Sequence, residues 1–193
     1  MKRKIGIIGK GNVGKAIQAG VQKSGHETKM IGRAGNIKET AAWADVIVMA
    51  VPFGEVSAVA AQLGGAADGK AVVDATNALG KEGLAVGFTT SGAEELQKKL
   101  PRAKVVKAFN TIFAQNMSTG KVKGTALLLP VAGDDPAAKQ AVIDLGKEIG
   151  FDAVDAGPLA NARLVEPMAV LNIQLGYVIN KGLGTGIGFS LTR

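Results

Sequence analysis

Lys4-Ile5-Gly6-Ile7-Ile8 is a strand-length apolar run that leads directly into Gly9-Lys10-Gly11-Asn12-Val13-Gly14. Beyond it Val13, Ala16, Ile17 and Val21 recur at helical spacing until Ser24-Gly25. A strand, a G-x-G-x-x-G turn and a helix in immediate succession constrain the fold more than any other feature, because each glycine answers a separate steric demand. The first permits a tight turn. Gly11 lets backbone amides approach an anion, and Gly14 lets the helix pack closely on the strand. In a chain with 27 glycines among 193 residues such a spacing arises by chance, and it is the flanking strand and helix that give it meaning.

The rest of the chain continues the alternation. Strands are expected at Glu27–Ile31, Asp45–Val51 (ended by Pro52), Ala71–Ala75, Lys104–Phe109, Thr125–Val131 and Phe151–Asp155. Between them, helices are expected at Ile37–Ala44, Glu55–Leu63, Ala93–Leu100 and Pro136–Ile149, with a last helix from about Asn161 to Asn180. Strands that read as continuous β-branched runs and alternate with amphipathic helices predict an α/β fold, a parallel sheet covered on both faces. The last helix is apolar on nearly every side, through Leu164, Val165, Met168, Val170, Leu171, Ile173, Leu175, Val178 and Ile179. Such a helix is expected to be buried in its own core or against a partner subunit.

Composition removes whole classes of chemistry. The chain has no cysteine, which excludes a disulfide scaffold, a thiolate metal site and a cysteine nucleophile. A single histidine argues against a zinc site or a Ser-His-Asp triad, and His26 falls in the turn before the second strand, at the amino end of the sheet, where a structural role is expected. No segment has the 18 or so apolar residues of a membrane span, and the basic start Met1-Lys2-Arg3-Lys4 is followed by a strand rather than a signal sequence, so a cytoplasmic protein is expected. The balance of 23 basic to 16 acidic residues favours anionic ligands or simply solubility. Dispersed basic residues and scarce aromatics give no support to nucleic-acid binding.

In open parallel sheets, ligands lie beyond the carboxyl ends of the strands. The second strand ends in Ile31-Gly32-Arg33, with no acidic residue to bind the ribose hydroxyls of NAD. Arg33 and Lys10 would instead flank a 2′-phosphate, which favours NADP(H); the bland alternative for Arg33 is a solvated turn residue. Four strand ends are expected to complete the wall: Val51-Pro52-Phe53, Thr76-Asn77, Asn110-Thr111 and Ala156-Gly157-Pro158. Asn77 and Asn110 are candidate partners of a carboxamide or ribose, or alternatively helix caps. The cofactor-binding set is therefore Gly9, Lys10, Gly11, Asn12, Val13, Gly14, Arg33, Val51, Pro52, Asn77 and Asn110. No catalytic residue and no metal ligand are assigned.

These residues, with Val73-Asp74-Ala75-Thr76-Asn77, Val106-Lys107-Ala108-Phe109-Asn110-Thr111, Val131-Ala132-Gly133-Asp134-Asp135 and the run from Asp155-Ala156-Gly157-Pro158-Leu159 through Asn161-Ala162-Arg163-Leu164-Val165-Glu166-Pro167, resemble the NADPH-dependent reductases of the deazaflavin coenzyme F-420. The resemblance covers essentially the whole chain, and its last run is the most specific. Where such reductases often carry Ser-Arg, this chain has Gly32-Arg33. The resemblance implies a Rossmann-type doubly wound sheet with a small C-terminal α/β extension, divided as residues 1–120 and 121–193. It further implies a homodimer and hydride exchange between NADP(H) and F-420. Hydride passes between such rings without a protein nucleophile or metal, so a chain this poor in catalytic side chains suits the task. Reduction of another small-molecule acceptor (flavin, quinone, imine or ferric chelate) and a non-catalytic NADP(H)-binding sensor are the alternatives.

Overall fold

The computed structural model describes residues 2–80, 83–179 and 186–192. The chain runs β1 (Lys4–Ile8), α1 (Asn12–Lys23), β2 (Glu27–Ile31), α2 (Ile37–Trp43), β3 (Val46–Met49), α3 (Val56–Leu63) and β4 (Ala71–Asp74). A ribbon of two short strands, β5 (Leu79–Gly80) and β6 (Gly83–Leu84), precedes α4 (Gly92–Lys99), β7 (Lys104–Lys107) and α5 (Ala114–Met117). A second ribbon, β8 (Lys121–Val122) and β9 (Thr125–Ala126), leads to β10 (Leu128–Gly133), α6 (Pro136–Ile149), β11 (Asp152–Asp155) and α7 (Ala162–Ile173).

Seven strands form one sheet in the order β11-β10-β7-β4-β3-β1-β2. Alternate residues of each strand feed opposite layers, as the pleat requires. Ile5, Ile7, Val48, Val73 and Val106 face a layer built from α1, α5 and α6. Ile8, Ile47, Met49, Val72 and Val105 face the layer of α2, α3 and α4, where Leu159 and Ala162 also pack. Sequence direction reverses at β1, which has β2 on one side and β3 on the other. The crossover helices α1 and α2 lie on opposite faces, so a crevice opens at the carboxyl end of β1, the place where such sheets bind ligands. This is the expected Rossmann-type α/β architecture.

Two local expectations are corrected. The sheet is mixed rather than all parallel: β10 runs antiparallel to β7, pairing only Ala132 with Lys107 and Gly133 with Val106, and β11 runs parallel to β10. The link from β7 to β10 holds a four-residue helix and a tight ribbon, so no crossover helix returns the chain to the far end before it re-enters the sheet. As a result the carboxyl end of β11, and with it Ala156-Gly157-Pro158, lies at the amino end of the parallel strands. Gly157 accepts a hydrogen bond from the Gly133 backbone there and does not wall the crevice. Within the single chain the last helix is not enclosed all round, which leaves burial against a partner subunit as the expected alternative. Val165, Ala169 and Asn172 are buried, whereas Leu164 is 71% exposed. Regular α-helix ends at Ile173 and passes into a wider π-helical turn at Gln174–Ile179, and the expected end at Asn180 lies outside the described residues.

His26 sits at the amino end of the sheet as expected. Its Nδ1 accepts the Arg3 backbone N–H at 3.0 Å, and its Nε2 meets the Glu148 carboxylate of α6. The ring thereby ties the start of the chain to its C-terminal third.

Candidate functional site: a nucleotide cleft at the carboxyl end of the sheet

The glycine loop is shaped by two backbone contacts that leave no room for a side chain. Gly9 takes φ 124°, and a Cβ there would stand 2.0 Å from the Ala50 carbonyl oxygen; one at Gly14 would stand 2.0 Å from the Gly9 carbonyl oxygen. The Gly9 N–H donates to Ile31 O at 2.8 Å and the Ala50 N–H to Ile8 O at 2.8 Å, so the loop is held on both sides by the ends of neighbouring strands. Gly11 differs from both: a Cβ at this position meets nothing within 4 Å. It is the N-cap of α1, offers no side-chain cap, and is followed by a first turn without acidic residues. The first-turn amides of a helix have no acceptor within the helix itself. Open space in front of them, with the helix dipole behind, forms a cradle for an anion.

A cleft of about 480 Å³ lies over this cradle, lined by Gly9, Lys10, Gly11, Gly32, Arg33, Val51, Pro52 and Glu55, among others. Past Val51 and Pro52 it opens into a hollow of about 280 Å³ bordered by Asn12, Val13, Thr76 and Asn77. Past Val13 and Asn77 it reaches a third hollow of about 230 Å³, walled by Asn110, Thr111, Phe113 and Tyr177. Every predicted cofactor-binding residue thus borders one continuous groove or, for Gly14, packs directly beneath it. Four buried side-chain oxygens in this groove have no hydrogen-bond partner among the described residues: Thr76 Oγ1, Asn77 Oδ1, Asn110 Oδ1 and Thr111 Oγ1. A buried polar atom without a partner is costly, so four of them along two adjoining hollows mark a stretch where a ligand could complete the bonding.

Asn110 is carried into the groove by unusual backbone. The preceding Phe109 adopts φ 69°, a conformation costly for a bulky residue, and its ring is fully buried against Phe151 with centroids 5.9 Å apart. This turn stops β7 at Lys107, two residues short of the expected strand end. Asn110 Nδ2 donates to Val165 O at 3.2 Å and Asn172 Nδ2 to Thr111 O at 2.9 Å, stapling α7 across the groove wall. At the rim, Phe113 and Tyr177 meet edge to face at 5.2 Å.

Beneath the groove lies an ionic triad that sequence reasoning missed. The Lys107 ammonium, fully buried, is 3.0 Å from Asp74 Oδ2 and 3.0 Å from Glu166 Oε1, and donates to Thr76 O at 2.7 Å. Asp74 Oδ1 accepts the Thr76 N–H at 2.9 Å, and Glu166 Oε2 accepts the Gly92 N–H at 2.9 Å at the start of α4. The triad therefore fixes the Thr76-Asn77 turn and ties α7 to α4 and the sheet. A signal for it was present: Asp74, Lys107 and Glu166 are single charges in otherwise apolar runs, and lone buried charges demand one another.

Glu55 was also missed. It reaches the cleft from the 3₁₀ turn Phe53–Glu55 and binds the Arg33 guanidinium, which is held above its usual pKa by that hydrogen bond and by the carboxylate charge. Arg33 is present at the predicted place, but it is paired.

Residues 28–78 match the family model described as "NADP oxidoreductase coenzyme F420-dependent". The whole fold is similar to a structure from Arthrobacter sp. FB24 assigned as an F420-dependent NADP-reductase. The TM-score is 0.90 at 26% identity, over 99% of this chain and 100% of that one. The sequence is also 31% identical over 176 residues to metalloreductase STEAP3 of Rattus norvegicus, covering 84% of this chain and 36% of the relative; this chain spans about a third of that protein. Pyrroline carboxylate reductase of Plasmodium falciparum, solved with NADP bound, shares the fold at TM-score 0.60 and 15% identity, over 79% of this chain and 58% of that one. Fold, groove and matches together define a dinucleotide-binding type of α/β protein that is similar to NADP-dependent oxidoreductases. Within that class the chain is similar, over residues 28–78, to the coenzyme F420-dependent NADP oxidoreductase family.

Proposed function

We propose that the protein transfers a hydride between NADP(H) and a small planar electron acceptor, with the deazaflavin coenzyme F-420 as the leading acceptor. The observation that carries this reading is the set of unpartnered buried oxygens of Asn77, Asn110 and Thr111 at the inner hollow, with that of Thr76 at the hollow between it and the glycine cradle. Gly9–Gly14 would hold the pyrophosphate, Lys10 and Arg33 the 2′-phosphate, Val51 and Pro52 the adenosine side, and Asn77 and Asn110 the carboxamide. Nicotinamide and deazaflavin supply the redox chemistry between them, and the chain's part is to hold the rings face to face and exclude water. Phe113 and Tyr177 offer an apolar rim for the second ring, while the Lys107 triad keeps Thr76 and Asn77 at a fixed depth.

A second reading, reduction of a flavin or a ferric chelate, is favoured by the likeness to a metalloreductase. Loss of NADPH absorbance on addition of F-420, flavin or ferric chelate in turn distinguishes the acceptors. NADPH binding without turnover of any of them would make the protein a sensor. The reading also takes the protein as a cytoplasmic homodimer, with residues 1–120 as the nucleotide-binding part and 121–193 carrying the contact. Exposed Leu164, Leu171, Tyr177, Val178 and Ile179 support that contact. Among the described residues no helix is long and apolar enough to cross a membrane.

A further inference from the structure

Charge in the cleft is not all of one sign. Arg33 donates through Nη2 to Glu55 Oε1 and through Nε to Glu55 Oε2 at 3.4 Å, so both carboxylate oxygens face one guanidinium. The two partners are unequally anchored. The Arg33 side chain is 87% exposed, that of Glu55 only 28%, and the Glu55 backbone N–H donates to Pro52 O at 2.9 Å within a short helical turn. The carboxylate is part of the wall and the arginine comes to it. The chain therefore has no acid at the end of β2 but supplies one to the same cleft from the turn after β3.

That arrangement has opposite effects on two ligands. A 2′-phosphate must compete with a carboxylate that already binds the Arg33 guanidinium through two nitrogens, and must lie beside that carboxylate's charge. A cofactor with a free 2′-hydroxyl meets the reverse situation, since the carboxylate is an acceptor for ribose hydroxyls. We propose that Glu55 is a specificity-determining residue that restrains the preference of this cleft for the phosphorylated cofactor and keeps NADH as a usable ligand. The proposal rests on the nucleotide reading above and deepens it.

The test is calorimetric titration of NADPH and NADH, at fixed salt, into wild type, Glu55→Gln, Arg33→Ala and the double variant. Glu55→Gln is expected to tighten NADPH about two- to fivefold, the range of an exposed ion pair, while NADH stays level or weakens. In the Arg33→Ala background the share of the gain that comes from releasing the guanidinium should vanish, leaving the share that comes from removing the carboxylate's charge. A Glu55→Gln protein with an unchanged ratio of NADPH to NADH affinity overturns the proposal. Wild type that binds neither nucleotide overturns the nucleotide reading itself; wild type that binds NADPH with the ratio unmoved by Glu55→Gln overturns this proposal alone.

Discussion

A side chain added at each of the three motif glycines meets a different neighbour, and the differences separate folding from binding. At Gly9 and Gly14 the obstacle is a carbonyl oxygen 2.0 Å away, which cannot yield without moving a strand end or the helix. Gly9→Ala and Gly14→Ala should therefore lower the urea midpoint of unfolding. Gly11→Val, by contrast, should leave that midpoint nearly unchanged and abolish NADPH binding in calorimetry, since its methyls occupy only the open space before the α1 amides. Unchanged NADPH affinity in Gly11→Val would reduce the motif to a turn. Arg33→Ala is expected to weaken NADPH about tenfold and leave NADH nearly constant, as measured by the ratio of their dissociation constants. Equal weakening of both would make Arg33 structural.

Between elements, the Lys107 triad carries most of the joinery: β4 contributes Asp74, β7 contributes Lys107, α7 contributes Glu166, and α4 receives Glu166 at its first amides. Lys107→Met would leave two carboxylates buried without a cation, a change that costs about 3–5 kcal/mol when one partner of a buried pair is removed. Denaturant titration should show that loss; a loss below about 1 kcal/mol would mean that water or a rearranged partner takes the place of the ammonium. Most elements were legible in the sequence because their patterns are local. The β1–α1–β2 unit and α6 occur at Lys4–Ile8, Asn12–Lys23, Glu27–Ile31 and Pro136–Ile149, where the apolar patterns put them. The reversal of β10 was not legible, because strand direction depends on how a linker crosses the sheet and no residue of Leu128–Gly133 encodes it. Nor was the Glu55–Arg33 pair, whose members lie 22 residues apart and meet only through the order of the strands. Lys107 stood in plain view, yet its partners lie 33 and 59 positions away.

For the molecule as a whole, acid should be destabilising. Glu94 is held below its ordinary value of 4.5, first by the hydrogen bond from Arg163 of α7; Asp135 and Asp155 are held below 3.8, first by the Ala138 amide and the Lys139 ammonium respectively. A depressed carboxylate stabilises the native state fully above its unfolded value and loses that contribution as pH falls through its native one. The melting temperature followed by circular dichroism should accordingly be level above the ordinary carboxylate values and decline below them, with Glu94→Gln less stable at neutral pH and shallower in its decline. The exposed apolar residues of the last helix predict self-association, and Leu171→Lys should convert a dimer seen by light scattering into monomer; a stable wild-type monomer at micromolar concentration would remove that proposal. The layer that buries α1 has a further consequence, in time rather than space. Gly20 of α1 lies so close to Ile149 that an added Cβ would sit 2.9 Å from its Cγ2, and the same layer includes Val142, Ile143 and Phe151. Ile149 follows Gly20 by about 130 residues, which at roughly 5–20 residues per second is on the order of 6–26 s of translation. For that interval the nascent chain holds its glycine loop and first helix with their apolar side covered no further than α5, so a unit completed early in sequence is enclosed late.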